Sequence, residues 1–289
     1  MTEKPAHAGP TQAAMRVLSA LIEARTGQQL SAARSWRIES SLKPVLRETG
    51  IASLELLVGQ LVSGRNEALS ATVVNALLNN ETSFFRDTTV FEQIDRDAFE
   101  ALRKARSDTR RLRIWSAACS TGQEAYSLAM MLRDSAPRWA GWTFDILASD
   151  VSGAAVARAR EGRFSRFEIQ RGLPVRKMLS WFREDTEEWV ADSALSRDIR
   201  FVTHDLREPA PGVFDLILCR NVLMYFPVPV RTKVFERLSD ALAPGGLLVL
   251  GAGETVIGQT DRFVSDPEMR GVYTAAADVS HSPLRAASR

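Results

Sequence analysis

The sequence predicts an α/β protein in which a Rossmann-like, mainly parallel sheet follows an all-helical N-terminal domain and carries a small inserted antiparallel β subdomain. Three observations predict this fold class. Residues 15–78 have helical periodicity throughout, and residues 112–250 alternate short apolar strands with amphipathic helices. Residues 164–200 interrupt that alternation with an interval too long for a crossover loop, which indicates an insertion.

These patterns divide the chain into four parts. A polar tail at residues 1–12, predicted to be disordered, precedes a helical domain and linker at residues 13–86. The sheet domain is expected at residues 87–277, with its insertion at about 164–200. A second disordered tail is predicted at residues 278–289.

Capping and helix-breaking residues divide the helical domain. Ser31 or Ser35 could cap the second helix, and Pro44 is predicted to break or restart it, because proline lacks a backbone N–H. Ser53 is predicted to cap a third helix that Gly64 ends. Further helices are predicted at residues 68–78 and 88–104.

The sheet domain is predicted from its alternating segments. Strands are expected at residues 112–116, 143–149, 199–203, 214–219 and 246–250, and helices at 123–134, 153–160 and 229–242. Residues 243–246 should form a turn before the last long strand, and residues 263–264 and 272–274 an antiparallel hairpin at the sheet edge. The insertion should hold a helix at residues 175–182 and a few short antiparallel strands.

Composition excludes several classes of protein. A net charge of +2 over 289 residues argues against nucleic-acid binding by bulk electrostatics, and two cysteines do not imply a disulfide framework. No apolar run approaches the ~20 residues of a membrane span, and the first residues lack the apolar core of a signal peptide. We therefore expect a cytoplasmic protein without membrane insertion, and a monomer. The three histidines lie outside the motifs, and no metal site is expected.

One stretch, residues 113–127 (R-I-W-S-A-A-C-S-T-G-Q-E-A-Y-S), predicts a strand, a tight turn and a helix. Small residues in such a turn let a ligand approach the backbone, although an ordinary strand–helix turn would look similar. Gly122 is the single glycine, so the G-x-G-x-x-G fingerprint of dinucleotide-binding proteins is absent.

Candidate site residues, most of them polar, lie at the carboxyl ends of the first four predicted strands, where open α/β sheets bind ligands. They are Glu124, Asp150, Asp205 with Leu206, and Asn221 with Val222 and the nearby Tyr225. Asp150 could bind ribose hydroxyls, Asp205 an adenine amino group and Glu124 an ammonium, although helix capping or a turn would explain each one alone. Carboxylates suit S-adenosylmethionine, which is a sulfonium with an ammonium and a ribose, better than the pyrophosphate of NAD.

A short segment at residues 80–86, N-E-T-S-F-F-R, lies between the two domains. The segment could be a hydrophobic plug that joins the domains. The alternative is that Phe84 and Phe85 anchor it while Asn80, Thr82 and Arg86 point into a site.

Four basic residues of the helical domain, Arg34, Arg37, Lys43 and Arg47, are spaced so that some share one helical side. On spacing alone a solvated basic face is favoured. The other interpretation is a docking surface for an acidic helical partner.

Taken in order, N-E-T-S-F-F-R, W-S-A-A-C-S-T-G-Q-E-A-Y-S, A-S-D and C-R-N-V-L-M-Y-F resemble the CheR family of chemoreceptor glutamate methyltransferases, and the likeness runs from about Met15 to Thr274. The resemblance implies a Rossmann-like S-adenosylmethionine-dependent methyltransferase sheet. It also implies transfer of a methyl group to glutamate carboxylates on the cytoplasmic helices of methyl-accepting chemoreceptors. The products would be glutamate methyl esters and S-adenosylhomocysteine.

The resemblance also implies residue roles. Cofactor contacts are expected at Asn80, Thr82, Arg86, Glu124, Asp150, Asp205, Leu206, Asn221 and Val222. Glu124 would bind the amino-acid portion, Asp150 the ribose, and Asp205 with Leu206 the adenine side, where relatives often have Asn. Arg86 is the expected holder of the acceptor carboxylate, and Tyr225 a candidate for positioning it. Glutamate is already ionised at neutral pH, so no general base is required.

Family membership would favour docking of acidic receptor helices on the four basic residues. Two departures from the family pattern matter. The family often has two acids after the turn glycine, and here the first is Gln123, which leaves Glu124 as the expected acid. Relatives that bind a receptor's C-terminal pentapeptide carry a glycine-rich loop in the insertion, whereas residues 183–200 contain no glycine. We therefore expect independence from such a tether.

Two other functions stay open at this stage. One is a methyltransferase for another acceptor, such as RNA or a small molecule. The other is a non-catalytic module that binds S-adenosylmethionine and recruits a partner in a signalling pathway through its helical domain.

Overall fold

A computed structural model describes residues 12–30, 35–64 and 66–276, with the side chains of residues 35–37 excepted. The helices are α1 (Gln12–Thr26), α2 (Ser35–Thr49), α3 (Leu54–Val62), α4 (Glu67–Leu77), α5 (Thr88–Gln93), α6 (Phe99–Ala105), α7 (Gln123–Asp134), α8 (Gly153–Glu161), α9 (Arg166–Gln170), α10 (Val175–Trp181), α11 (Ser193–Ser196) and α12 (Val228–Asp240). None of these helices is long and apolar enough to cross a membrane. The two predicted tails lie outside the described residues, except that Gln12 opens α1.

The strands are β1 (Arg111–Ala117), β2 (Thr143–Asp150), β3 (Arg163–Ser165), β4 (Phe182–Asp185), β5 (Glu188–Ala191), β6 (Ile199–Thr203), β7 (Phe214–Cys219), β8 (Leu242–Leu250), β9 (Phe263–Ser265) and β10 (Val272–Ala275). Seven form one sheet in the order β6-β2-β1-β7-β8-β10-β9. The first five run parallel, and β10 and β9 complete the edge as an antiparallel hairpin. The predicted α/β class and edge hairpin are confirmed.

The helical domain packs α1 to α4 around one apolar cluster that includes Leu18, Leu42 and Leu57. Ser53 caps α3 as predicted, because its hydroxyl accepts the Leu56 N–H. The prediction at Pro44 is wrong, since α2 continues through it. Pro44 is exposed while the opposite side of α2 is buried, so packing of that side outweighs the loss of one helical N–H.

Two further differences concern the sheet domain. The predicted helix at residues 88–104 is α5 and α6 joined by a π-helical turn, Ile94–Ala98. Residues 243–246, predicted as a turn, lie within β8 as an irregularity, and the register with β7 moves from Phe214 opposite Leu242 to Leu216 opposite Leu247. The chain on either side stays paired with β7.

The insertion is a three-stranded antiparallel sheet in the order β3-β5-β4, as predicted, and α10 corresponds to the predicted helix. The short helix α9 was not predicted. The insertion packs on the segment that joins the two domains: the ring of Phe84 meets those of Phe164 and Phe182 edge-on at 4.9 and 5.5 Å. At Gly172 (φ +83°) an added Cβ would lie 2.1 Å from the Phe84 carbonyl oxygen. The insertion therefore fixes the backbone of residues 80–86.

Candidate functional site

A cavity open to solvent lies at the carboxyl ends of β1, β2, β6 and β7. Every residue predicted for cofactor or catalysis lines it: Asn80, Thr82, Arg86, Glu124, Asp150, Asp205, Leu206, Asn221, Val222 and Tyr225. The structure thus brings the predicted site together, and the role of each residue stays a prediction.

The predicted strand–turn–helix over residues 113–127 is confirmed as β1, a turn and α7. Ala118 and Ser120 adopt left-handed backbone conformations (φ 62° and 52°), which small side chains tolerate better than large ones. At Gly122 (φ +94°) a Cβ would lie 2.9 Å from the Ala159 Cβ atom. The single glycine is therefore required by packing of the turn against α8.

The same turn fixes Asp150, at the end of β2. One carboxylate oxygen accepts the Ser120 N–H at 2.8 Å and the other the Ser152 N–H at 2.9 Å. Burial raises the pKa of Asp150, and these backbone hydrogen bonds oppose the shift. Each carboxylate oxygen can accept more than one hydrogen bond, so Asp150 keeps acceptor capacity for ribose hydroxyls.

Glu124 has a partner that the sequence analysis missed. The guanidinium of Arg220, whose side chain is 2% exposed, donates to Glu124 at 3.0 Å and to Asp87 at 2.8 Å. It also donates to the Arg86 carbonyl oxygen at 2.7 Å. The second Glu124 oxygen accepts the Ser116 hydroxyl at 2.8 Å. Glu124 and Asp87 therefore share one buried guanidinium behind this part of the cavity.

Asp205 is also engaged by an arginine. Its carboxylate accepts the Arg207 N–H at 2.8 Å and the Arg207 guanidinium at 2.7 Å. That guanidinium continues to the carbonyl oxygens of Ala24 and Arg25, at 3.3 and 2.8 Å, where α1 ends. Asp205 therefore joins the sheet edge to the helical domain, a role that its place after a strand did not reveal.

Phe84 and Phe85 anchor the segment at residues 80–86, since they are 0% and 7% exposed, which agrees with both interpretations of the segment. The Phe85 N–H donates to the Ser127 hydroxyl at 3.0 Å, which fastens the segment to α7. Arg86 is half-buried and donates one guanidinium N–H to the Glu81 carbonyl oxygen at 3.0 Å. A guanidinium has five N–H donors, so others remain for an acceptor in the cavity.

Tyr225 closes the cavity beneath the helical domain. Its hydroxyl accepts the Asn79 side-chain N–H at 2.9 Å, and its carbonyl oxygen accepts the Gln29 N–H at 2.7 Å. Thr26 and Gln28 line the cavity as well. The helical domain therefore supplies part of the wall.

Of the predicted partner-binding residues, Lys43 and Arg47 do not line the cavity. Lys43 and Arg47 are exposed on α2, and Lys43 lies 3.9 Å from Glu39 on the next helical turn. Arg34 and the side chain of Arg37 lie outside the described residues.

Within residues 12–30, 35–64 and 66–276, no group of histidine, cysteine and acidic side chains could hold a metal ion. Cys119 and Cys219 are buried, and burial raises the pKa of both thiols well above the usual value. Neither is therefore a thiolate at neutral pH.

Comparison with family models and with curated proteins gives the same family. The family model described as "CheR methyltransferase, SAM binding domain" matches residues 80–271. The chain is 34% identical over 254 residues to the chemotaxis protein methyltransferase of Vibrio parahaemolyticus, which covers 86% of this chain and 91% of that relative. It is 34% identical over 248 residues to chemotaxis protein methyltransferase 1 of Pseudomonas aeruginosa, covering 84% and 90%.

Proposed function

The chain belongs to the CheR methyltransferase family, and we propose that it transfers a methyl group from S-adenosylmethionine to glutamate side chains of chemoreceptors. The observation that carries the proposal is the single cavity that gathers Glu124 and Asp150 with Arg86 and Tyr225. Acidic groups line one side of this cavity, and a guanidinium lies on the segment that joins the domains. The protein would work in the cytoplasm on receptor helices.

The cavity residues fit the parts of the cofactor. Glu124 would accept hydrogen bonds from its ammonium, and Asp150 from its ribose hydroxyls. Leu206, 7% exposed, would contact the adenine face beside Asp205. Asn80 and Thr82 on one side and Asn221 and Val222 on the other would complete the contacts.

When bound, S-adenosylmethionine supplies a methyl group on a cationic sulfur. A glutamate carboxylate oxygen would form the new C–O bond as the C–S bond breaks and its electron pair stays on sulfur, giving a methyl ester and S-adenosylhomocysteine. No base is needed, because glutamate is ionised at neutral pH.

Arg86 would hold the carboxylate through one oxygen and leave the other to attack, while Tyr225 would position the acceptor chain. Alignment of this kind lowers barriers by roughly 7–11 kcal/mol in well-oriented systems.

Receptor docking would use the basic side of α2. Lys43 and Arg47 present exposed cationic side chains, and Arg34 and Arg37 extend the same basic sequence. Acidic receptor helices are complementary to such a surface, and their attraction should weaken as salt is raised.

The insertion supports independence from a receptor tether. Its β4–β5 hairpin pairs Asp185 with Glu188, so only Thr186 and Glu187 form the turn. A two-residue turn without glycine is a poor equivalent of a glycine-rich peptide-binding loop. Deleting a receptor's C-terminal tail should therefore leave its methylation nearly unchanged, and a large loss would contradict the tether proposal alone.

The main test incubates the protein and receptor-containing membranes with methyl-labelled S-adenosylmethionine. We expect label on the receptor that base releases as methanol, because carboxyl methyl esters hydrolyse in base. Arg86→Ala should lose most of the transfer rate while still binding S-adenosylhomocysteine. The matched control is Arg96→Ala, whose side chain is 73% exposed and pairs with Asp97.

Base-stable label would point to another acceptor. Full activity of Arg86→Ala would remove the role assigned to Arg86. Cofactor binding without any transfer would favour the non-catalytic module.

A further inference from the structure

A single carboxylate, that of Glu254, binds the backbone loop that follows β7. One oxygen accepts the N–H groups of Asn221 and Gly251 at 2.6 and 3.0 Å. The other accepts the N–H groups of Val222 and Leu223 at 2.9 and 2.8 Å. Hydrogen bonds to an ionised acceptor are stronger than those between neutral groups.

The backbone is shaped for this anion. Asn221 has a left-handed conformation (φ 59°) and Val222 has φ −127°, so three successive N–H groups converge on one point. Such a concave row of N–H groups is an anion-binding nest. At Gly251 a Cβ would lie 2.7 Å from the Glu254 carboxylate and 2.9 Å from the Asn221 nitrogen. Glycine at this position leaves the space that the carboxylate fills.

The two sides of the loop face different cavities. Asn221, Val222 and Tyr225 line the candidate site. Glu254 and Gly251 instead line a separate open cavity between α5 and the edge of the sheet. Glu254 is therefore behind the site wall and can act on a ligand only through the loop.

We propose that Glu254 is a positioning residue for cofactor binding: its charge holds residues 221–223 in the conformation that contacts the cofactor. The inference rests on the proposed contacts of Asn221 and Val222. Without the carboxylate, the N–H groups lose their common acceptor, and the loop must be ordered when the cofactor binds. The ordering cost then appears as weaker binding.

The test measures the Kd of S-adenosylhomocysteine by calorimetry. Glu254→Gln should raise the Kd by about ten-fold or more, because an amide offers one acceptor oxygen and turns its N–H₂ group toward N–H donors. Glu236→Gln, on the exposed side of α12, is the matched control and should leave the Kd unchanged.

A rescue experiment separates positioning from general stability. In Glu254→Ala the vacated space opens to the second cavity, so added formate should reach the nest and restore most of the affinity for S-adenosylhomocysteine. Chloride at the same ionic strength should not. If Glu254 only stabilised the fold, formate would not restore the affinity of Glu254→Ala without also changing the melting temperature of that variant.

Wild-type affinity in Glu254→Gln, or a Glu254→Ala variant whose affinity does not respond to formate, would overturn the proposal. If Glu254→Gln fails to fold, the formate experiment alone decides. The proposal is then also overturned if formate neither refolds Glu254→Ala nor restores its affinity for S-adenosylhomocysteine. The measurements need no receptor. A wild-type protein that binds S-adenosylhomocysteine but methylates no receptor would therefore refute the proposed function and leave this inference standing.

Discussion

Replacing Arg220 by methionine should destabilise the protein far more than removal of an ordinary surface arginine. The side chain is 2% exposed and joins Glu124 on α7, Asp87 and the Arg86 carbonyl oxygen. Methionine replaces the apolar stem of the side chain but leaves both carboxylates without their shared cation. Arg220→Met therefore removes the charge while keeping most of the packing of the stem.

The expected magnitude follows from burial. Removing one partner of a buried ion pair costs about 3–5 kcal/mol, because the other charge stays buried and unpaired. Glu124 is 13% exposed but Asp87 is 35% exposed, so water compensates part of the loss at Asp87. We expect the free energy of unfolding to fall by about 3 kcal/mol, the lower end of that range.

Urea denaturation followed by circular dichroism measures this change. With an m-value of about 3 kcal/mol/M, the midpoint should fall by about 1 M. The control is Arg262→Met, which breaks an ion pair with Asp240 in which the two side chains are 48% and 66% exposed. That variant should lose no more than about 1 kcal/mol. Equal midpoints for the two variants would refute the argument that the buried guanidinium stabilises this wall of the cavity.

Three further predictions concern other parts of the chain. Gly172→Ala should lower the free energy of unfolding by at least ~2 kcal/mol, because φ is +83° and the added Cβ would meet the Phe84 carbonyl oxygen. Gly59→Ala in α3, where nothing lies within 4 Å of an added Cβ, should raise the free energy of unfolding by about 0.5–1 kcal/mol. Urea midpoints that move in the same direction in both variants would contradict this. Burial raises the pKa of Asp150 above its usual value of 3.8, so ionisation of this carboxyl destabilises the folded state. The destabilisation is absent below pH 3.8 and grows as the pH rises to the raised pKa. The carboxylate is the form expected to bind ribose, so affinity for S-adenosylhomocysteine should fall when the pH is lowered from 7. The fall should begin at a higher pH than the protonation of an ordinary aspartate would cause. Calorimetry should show this fall in the wild type and not in Asp150→Asn. Burial raises the pKa of Tyr126 to about 12, so an absorbance titration should show one tyrosine that ionises near pH 12, absent in Tyr126→Phe, and stability should decline above the usual pKa of 10.

Local patterns predicted most of the helices and strands, and the edge of the sheet at which the candidate site residues meet. The mainly apolar run of β7, the alternation of apolar and polar residues in β6 and the helical period of α7 were sufficient to place these three elements to the residue. Asp150 and Asp205 were found because topology sends residues that follow parallel strands to one edge of the sheet. At Pro44 the local rule failed, because helix propensity does not include the packing of the opposite face.

Partners far apart along the chain could not be predicted in this way. Arg220 and Glu124 are 96 positions apart, and Glu254 and Asn221 are 33 apart. Each residue follows a strand or a turn in an ordinary way, and nothing in its neighbours indicates the ion pair or the nest. Such contacts exist only once the sheet has brought the strand ends together.

The bond from Arg207 to the end of α1 has a consequence for how this protein can be divided. The matched family model of the S-adenosylmethionine-binding domain begins at residue 80, yet Thr26, Gln28, Leu78 and Asn79 lie upstream of it and border the cavity. A fragment cut at that point would expose the Arg207 guanidinium and open one side of the cavity to water. A fragment limited to residues 80–271 therefore lacks part of the cavity wall, and any shortened form of the protein has to keep the end of α1 together with the sheet.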